Sequence, residues 1–118
     1  MANEIAINLP SISYTKDVYN DSLSIGVINL SVTGKHAVHD SVNCTAANVA
    51  LAKGNIGTIG FFYFRNKDAT NPISITFGST EYMILAANGI SLGTAGVSSI
   101  SIKATVGTPL LEYWLIEQ

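Results

Sequence analysis

Charged residues are scarce in this sequence. Of its 118 residues only 12% are Asp, Glu, Lys or Arg, against a usual share of about 25%. Six basic residues stand against eight acidic ones, which gives a net charge of -2. A nucleic-acid binder normally needs a dense basic patch that displaces counterions from phosphates, so the composition argues against a nucleic-acid partner. The mean hydropathy of +0.34 likewise argues against intrinsic disorder.

Cysteine is limited to one residue, Cys44. A single thiol excludes an internal disulfide framework and a zinc site built from several cysteines. The surrounding segment from Val42 to Ala46 alternates in hydrophobicity and contains no basic side chain that would activate the thiol. We therefore expect Cys44 to be a small buried side chain.

Long hydrophobic runs are also missing. The longest run of purely apolar side chains extends from Met83 to Ala87, far short of the ~20 residues that a membrane-spanning helix requires. The segment from Met1 to Ile5 has neither the basic start nor the apolar core of a signal peptide. We therefore expect no membrane partner, and synthesis in the cytoplasm.

Recognisable catalytic and metal-binding patterns are absent from the sequence. The two histidines, His36 and His39, are three residues apart, which on a strand places them on opposite faces, where they cannot hold one metal ion together. A turn in this segment would bring them closer to each other and to the adjacent Asp40, but solvent-exposed loop histidines are the favoured interpretation. No Gly-x-Ser-x-Gly elbow and no glycine-rich phosphate loop occurs. We therefore predict no enzymatic activity, no catalytic residues, no cofactor and no metal. A small enzyme is the least favoured of the functions considered.

Small uncharged polar residues and β-branched residues are abundant instead. Ser, Thr, Asn and Gly account for 42 of the 118 residues, and Val, Ile and Thr account for 32. The β-branched bias favours strands over helices. A weakly charged surface with exposed apolar area favours a protein that packs against others.

Short alternating segments separated by turn residues recur along the whole chain. The segment from Thr58 to Arg65 is apolar on both faces and predicts a central strand covered on both sides. In the final segment, Leu110 to Ile116, Leu111, Tyr113 and Leu115 share one face, while Glu112, Trp114 and Ile116 share the other. Asn88-Gly89 predicts a tight turn.

The segment from Ala46 to Ala52 is the one stretch that we interpret as a helical turn. The remainder predicts eight to nine short strands at a spacing of roughly 8–12 residues. No linker, charge run or internal repeat divides the chain. The sequence therefore predicts an all-β fold: one antiparallel, jelly-roll-like β-sandwich domain over residues 1–118.

Aromatic residues in the predicted strands most often fill a sandwich core. Tyr14, Tyr19 and Trp114 are the candidates for exposed positions. For Trp114, the pattern favours a core or subunit-interface position over stacking on a sugar ring.

The central part of the chain, Gly57 to Ile75, reads GTIGFFYFRNKDATNPISI. It resembles a pattern in small structural proteins of tailed bacteriophages, in which a glycine-flanked apolar strand runs into (K/R)-N-x-D-x-T-N and then into a β-branched strand. The closing segment Thr108 to Gln118 is also similar to the last strand of such proteins. Within the central loop, Asn66, Asp68 and Asn71 join Trp114, Tyr19 and Tyr14 as candidate interface residues.

The resemblance implies a virion protein with a jelly-roll-like domain. Its leading implication is a capsid decoration or cement protein on the outer surface of the head, which stabilises contacts between major capsid subunits. Its expected partners are the major capsid protein and further copies of itself, with a trimer as one arrangement. The alternative is a tail or fibre component that acts as an adaptor or binds a host glycan.

Overall fold

The computed structural model describes residues 5–9, 11–16, 18–24 and 26–118, without the side chains of Tyr14, Lys16, Tyr19 and Asn20. The chain forms two compact units, an N-terminal unit, Met1–Val32, and a C-terminal unit, Thr33–Gln118. The single domain expected over residues 1–118 stays a prediction.

The described residues of the N-terminal unit form four strands of five residues each, β1 (Ile5–Leu9), β2 (Ile12–Lys16), β3 (Tyr19–Leu23) and β4 (Gly26–Leu30). Strand β1 pairs with β4, and β2 pairs with β3, both antiparallel. Both strand pairs have the same register, because the partners Ile5 and Leu30 in one pair and Ile12 and Leu23 in the other are aligned as in one continuous hairpin. We call these four strands the ribbon.

The C-terminal unit contains eight strands in two four-stranded sheets. In chain order they are β5 (Ala37–Asn43), β6 (Val49–Ala50), β7 (Ile59–Asn66), β8 (Ile73–Phe77), β9 (Glu81–Leu85), β10 (Ile90–Val97), β11 (Ile100–Lys103) and β12 (Leu110–Glu117). The strand order is β10-β7-β12-β5 in sheet one and β6-β11-β8-β9 in sheet two.

Pairing in the C-terminal unit is nested. The first strand pairs with the last (β5 with β12), the second with the seventh (β6 with β11), the third with the sixth (β7 with β10), and β8 with β9, all antiparallel. Two further pairs, β7 with β12 and β8 with β11, join these hairpins into the two sheets. Eight strands nested in this way and folded into two sheets form a jelly roll.

Alternating side chains of the two sheets fill one hydrophobic core. In β12, Leu111, Tyr113 and Leu115 are buried in this core, and Trp114 lies on the opposite face, as the alternation predicted. Trp114 is exposed, so a core position for it is wrong, and a position in a subunit interface stays a prediction. In β7, Phe62 and Phe64 stack with their ring centroids 5.0 Å apart. The hydroxyl of Tyr113 donates a hydrogen bond of 3.0 Å to the Ala52 carbonyl, which supplies a partner for the one polar atom of this buried side chain.

The predicted fold class is confirmed: the described residues are all-β, with antiparallel strands and no helix. They contain twelve strands where the sequence predicted eight to nine, because the N-terminal 32 residues include four short strands and β6 has only two residues. The helical turn predicted from Ala46 to Ala52 is wrong. Val49 pairs with Ile102 of β11, so this segment supplies strand β6.

The predicted tight turn before β10 is confirmed, one residue earlier than expected. The Gly89 amide donates a 2.8 Å hydrogen bond to the Ala86 carbonyl, which places Ala87 and Asn88 at the centre of the turn. Asn88 has a φ of 59°, a left-handed conformation that asparagine tolerates better than most residues. A β-carbon at Gly89 would lie 2.7 Å from the Ala86 carbonyl oxygen, so any larger residue would clash with the backbone at this position.

The buried position predicted for Cys44 is confirmed, since only 1% of its surface is exposed. Burial raises the pKa of its thiol to about 11. Only a small fraction of Cys44 is therefore thiolate at neutral pH, and thiol reagents reach it only when the fold opens locally or globally.

We predict that Cys44 reacts with dithionitrobenzoate roughly a hundredfold or more slowly in the folded protein than in denaturant. The matched control is Asn43→Cys in a Cys44→Ala background, which moves the thiol to an exposed neighbouring position of β5 and should label rapidly. Labelling of Cys44 at the rate of this control would contradict the buried position.

Candidate functional site

An aromatic row crosses the outer face of sheet one. Trp114 of β12 lies directly opposite His39 of β5 on one side and Tyr63 of β7 on the other, and Tyr63 in turn lies opposite Leu92 of β10. Side chains directly opposite on one face of an antiparallel sheet are about 4.5–5.5 Å apart at Cβ and contact each other. The next row along the strands consists of Ser41, Glu112, Arg65 and Ile90. We call these two rows the aromatic face.

Trp114 stacks against a neighbouring side chain on this face. The His39 ring stacks on the indole at a centroid distance of 5.5 Å and an interplanar angle of 25°. His39 Nε2 is 3.1 Å from Glu112 Oε2, which fixes the imidazole. Trp114 nevertheless keeps 43% of its surface exposed, and Ile90 and Leu92 are exposed on the same face. An oriented, partly exposed tryptophan among apolar side chains is typical of a protein-binding surface.

Asn66 does not belong to a surface, and its assignment as a candidate interface residue is corrected. Its side chain is fully buried. Its Nδ2 donates to the carbonyls of Asn71, at 2.8 Å, and Ala86, at 3.1 Å, while its Oδ1 accepts from the Asp68 amide at 3.0 Å. With the Leu85 carbonyl, at 3.3 Å, this buried amide bonds four backbone groups, so it fixes a loop and cannot reach a partner.

Asp68 and Asn71 lie partly buried in the loop that Asn66 anchors. Asp68 Oδ1 accepts hydrogen bonds from the Thr70 amide at 2.7 Å, the Asn71 amide at 2.9 Å and the Thr70 hydroxyl at 3.0 Å. These bonds, chiefly those from the two amides, lower the pKa of Asp68. The N-x-D-x-T-N pattern is therefore a loop-building motif.

Tyr14 and Tyr19 lie in the ribbon. Tyr14 is in β2 opposite Asp21, and Tyr19 begins β3 opposite Lys16. Their side chains lie outside the described part of the chain, so their assignment as interface candidates stays a prediction. Around them, Ile12, Val18 and Leu23 are exposed.

Glu117, near the end of β12, binds two other segments of the C-terminal unit. Its Oε1 accepts from His36 Nδ1 at 2.8 Å and from the Lys35 amide at 3.0 Å, and its Oε2 accepts from the Gly57 amide at 3.0 Å. The bonds from the Gly57 and Lys35 amides, followed by the one from His36, lower the pKa of Glu117 to about 2. Each histidine thus pairs with a different glutamate of β12.

Sheet two carries a groove on its outer face that sequence reasoning missed. It has a volume of about 460 Å³ and is lined by Asn48, Ser74, Thr76, Tyr82, Ile84 and Lys103. The register explains the grouping, because Ser74 lies between Lys103 and Ile84, and Thr76 lies opposite Tyr82. The available signal was the alternation of β8 and β9, which places Ser74 and Thr76 opposite to the buried Ile73 and Ile75.

Among residues whose placement is described, no three histidine, cysteine or acidic side chains come together as a metal-binding group. The same residues include no helix long and apolar enough to cross a membrane. The prominent surfaces of the C-terminal unit are therefore the aromatic face and the groove.

Comparison with known proteins adds no family to this description. No protein-family model matches the chain, and neither a curated protein nor a solved structure matches it significantly.

We predict that Asn66→Ala lowers the free energy of unfolding by about 2–4 kcal/mol, because it removes a fully buried side chain together with its hydrogen bonds to the Asn71, Leu85 and Ala86 carbonyls. Urea denaturation would measure the change. The matched control is Asn43→Ala, an exposed asparagine of β5, which should cost less than about 0.5 kcal/mol. Equal effects of the two substitutions would contradict the anchoring role of Asn66.

We predict that Glu117→Gln destabilises the protein at neutral pH and that this effect shrinks in acid. Since the pKa of Glu117 is lowered from 4.5 to about 2 on folding, its stabilisation is fully present above 4.5 and is lost as the pH falls towards 2. Denaturation midpoints of the two proteins measured across this interval should converge. The control at neutral pH is Glu81→Gln, which removes an exposed carboxylate from β9 and should change the stability little. A constant difference across the interval would rule out the carboxylate's role.

Proposed function

We propose that this chain is a structural protein of a bacteriophage virion, a decoration or cement protein that binds the outer surface of the head. The observation that carries the proposal is the jelly-roll topology of residues 33–118 with an exposed aromatic row on sheet one. Jelly rolls recur in viral capsid proteins, although one fold serves many functions. The resemblance of residues 57–75 to small phage structural proteins supports the same role.

Docking on the head uses the aromatic face. Trp114 supplies a large oriented contact area that His39 stacking already holds in place, so little side-chain entropy is lost on binding. Glu112 and Arg65, opposite each other in the neighbouring row, provide polar contacts beside it. Each copy binds modestly, and the repeated sites of a capsid raise the effective concentration of every further contact.

The ribbon is the second docking element. The ribbon consists of two two-stranded sheets, β1 with β4 and β2 with β3, and a two-stranded sheet is marginally stable by itself in water. The ribbon also exposes Ile12, Val18 and Leu23. Contact with a neighbouring subunit covers these side chains, and a partner strand can pair with an open edge of the ribbon. This role includes Tyr14 and Tyr19, which lie in its second and third strands.

The partners in this proposal are the major capsid protein and other copies of the chain, in a homo-oligomer on the capsid surface. The low charge of the chain suits contact with neighbouring protein subunits better than contact with packaged nucleic acid. Its contribution to the virion is binding and bridging, without catalysis.

A tail or fibre component is the second candidate. The groove on sheet two favours it, because the groove combines an exposed aromatic ring with hydroxyl and amino groups. Such a surface suits a soluble ligand better than a capsid lattice.

The abundance of the chain in purified particles separates the two candidates. A decoration protein is present in copy numbers close to those of the major capsid protein, which quantitative mass spectrometry measures. A few copies per particle would contradict the decoration role and favour the tail or fibre component.

We predict that Trp114→Ala lowers the affinity for particles that lack this chain by roughly tenfold or more, as loss of an interface tryptophan does elsewhere. Co-sedimentation with such particles would measure the binding. The matched control is Tyr82→Ala, which removes an exposed aromatic ring from sheet two and should leave docking unchanged. Equal binding by wild type and Trp114→Ala would reject the aromatic face as the docking surface.

A further inference from the structure

We propose that the groove on sheet two is a binding site for a saccharide that carries a carboxylate, such as a uronic or sialic acid residue. This site is separate from the aromatic face and does not depend on the proposed docking role. It is formed entirely within the C-terminal unit, by strands β8, β9 and β11 and by Asn48 just before β6.

One side of the groove is apolar. Tyr82 is 68% exposed, and Ile84, two residues further along β9, is also exposed. Both lie on the same face of the strand, so they form a continuous wall. Aromatic rings combine a large apolar face with a polar hydroxyl, which suits contact with the C–H face of a sugar ring while the hydroxyl bonds its rim.

The floor and the opposite side are polar. Ser74 and Thr76 of β8 form the centre, and Lys103 and Asn48 lie on the side away from β9. The side chains of Asn48, Ser74, Thr76, Tyr82 and Lys103 make no hydrogen bond or ion pair within the described part of the chain. These five side chains therefore leave their donors and acceptors available to a ligand.

The charge of the groove favours an acidic ligand. Lys103 is its one charged lining residue, and no carboxylate lines it. A ligand carboxylate can therefore pair with Lys103 Nζ without competition from a lining acid. Neutral hydroxyls of the same ligand match Ser74, Thr76 and Asn48, which donate and accept hydrogen bonds.

The dimensions fit a short saccharide. Strands in a sheet are about 4.8 Å apart, so the row Lys103, Ser74, Ile84 across three strands spans about 10 Å. The volume of about 460 Å³ lies within the range of about 300–1,000 Å³ that is usual for small-molecule sites. The open groove also lets a longer chain extend beyond it.

The test titrates the full-length ¹⁵N-labelled protein with 3′-sialyllactose and with galacturonic acid trimer, each compared with a neutral sugar, lactose or maltotriose. The amide shifts should move in β8, β9 and β11 with the acidic sugars and weakly or not at all with the neutral ones. No shift with any sugar would overturn the proposal, and equal shifts with acidic and neutral sugars would overturn the role of the carboxylate.

Three variants locate the site. Tyr82→Ala should weaken binding roughly fivefold or more, Tyr82→Phe should retain most of it, and Lys103→Met should remove the preference for acidic sugars while keeping the aliphatic stem. Trp114→Ala is the control and should bind the sugars as wild type does. Binding that survives both Tyr82→Ala and Lys103→Met would place the sugar elsewhere and overturn the proposal.

A peptide competitor separates sugar recognition from simple charge attraction. A short poly-glutamate peptide carries carboxylates without sugar rings, so it should fail to displace the galacturonic acid trimer at moderate salt. Full displacement by the peptide would overturn the assignment to a saccharide. Because Trp114→Ala tests docking and Tyr82→Ala tests sugar binding, either proposal can fail without the other.

Discussion

The register of strand β12 is the constraint on which the rest of the C-terminal unit depends. This strand pairs with β5 on one side and with β7 on the other, so it fixes three strands of sheet one at once. A shift by a single residue would move every side chain of β12 to the opposite face. The buried Leu111, Tyr113 and Leu115 oppose such a shift, because it would expose them and bury Glu112.

The same register determines the functional surface. Trp114 lies between His39 and Tyr63 only because Leu115 and Tyr113 occupy their core positions. Glu117 then joins the end of β12 to the segments around Lys35 and Gly57. Core packing, the carboxylate contacts and the aromatic face are therefore consequences of one alignment, and the groove arises in the same way from the alignment of β8 with β9 and β11.

Some of this architecture could be predicted from local pattern. The alternation in residues 110–116 was sufficient to assign both faces of β12, and the apolar stretch from Thr58 to Arg65 correctly predicted that β7 is a central strand. The prediction that β7 is covered on both sides is wrong at its end, because Tyr63 is only half-buried and Arg65 is exposed on the outer face of sheet one. The burial of Asn66 could not be predicted from such a pattern. Asn66 is a polar residue in a polar segment, and it is buried because carbonyls from three separate positions need a donor there.

The groove was missed for a related reason. Ser74, Tyr82 and Lys103 belong to different strands, and no spacing along the chain shows that they meet. Only the nested pairing of a jelly roll brings β8, β9 and β11 side by side. Long-range pairing also explains β6, a two-residue strand whose sequence resembles a helical turn and whose conformation is fixed by β11.

The most direct test of this account is a nuclear Overhauser measurement on the labelled full-length protein. The account predicts contacts from the Trp114 indole to the rings of His39 and Tyr63, together with contacts from the Tyr113 ring to core residues such as Phe64 and Leu111. Contacts from the Trp114 indole to those core residues, with Tyr113 facing solvent, would show a shifted register and contradict the account.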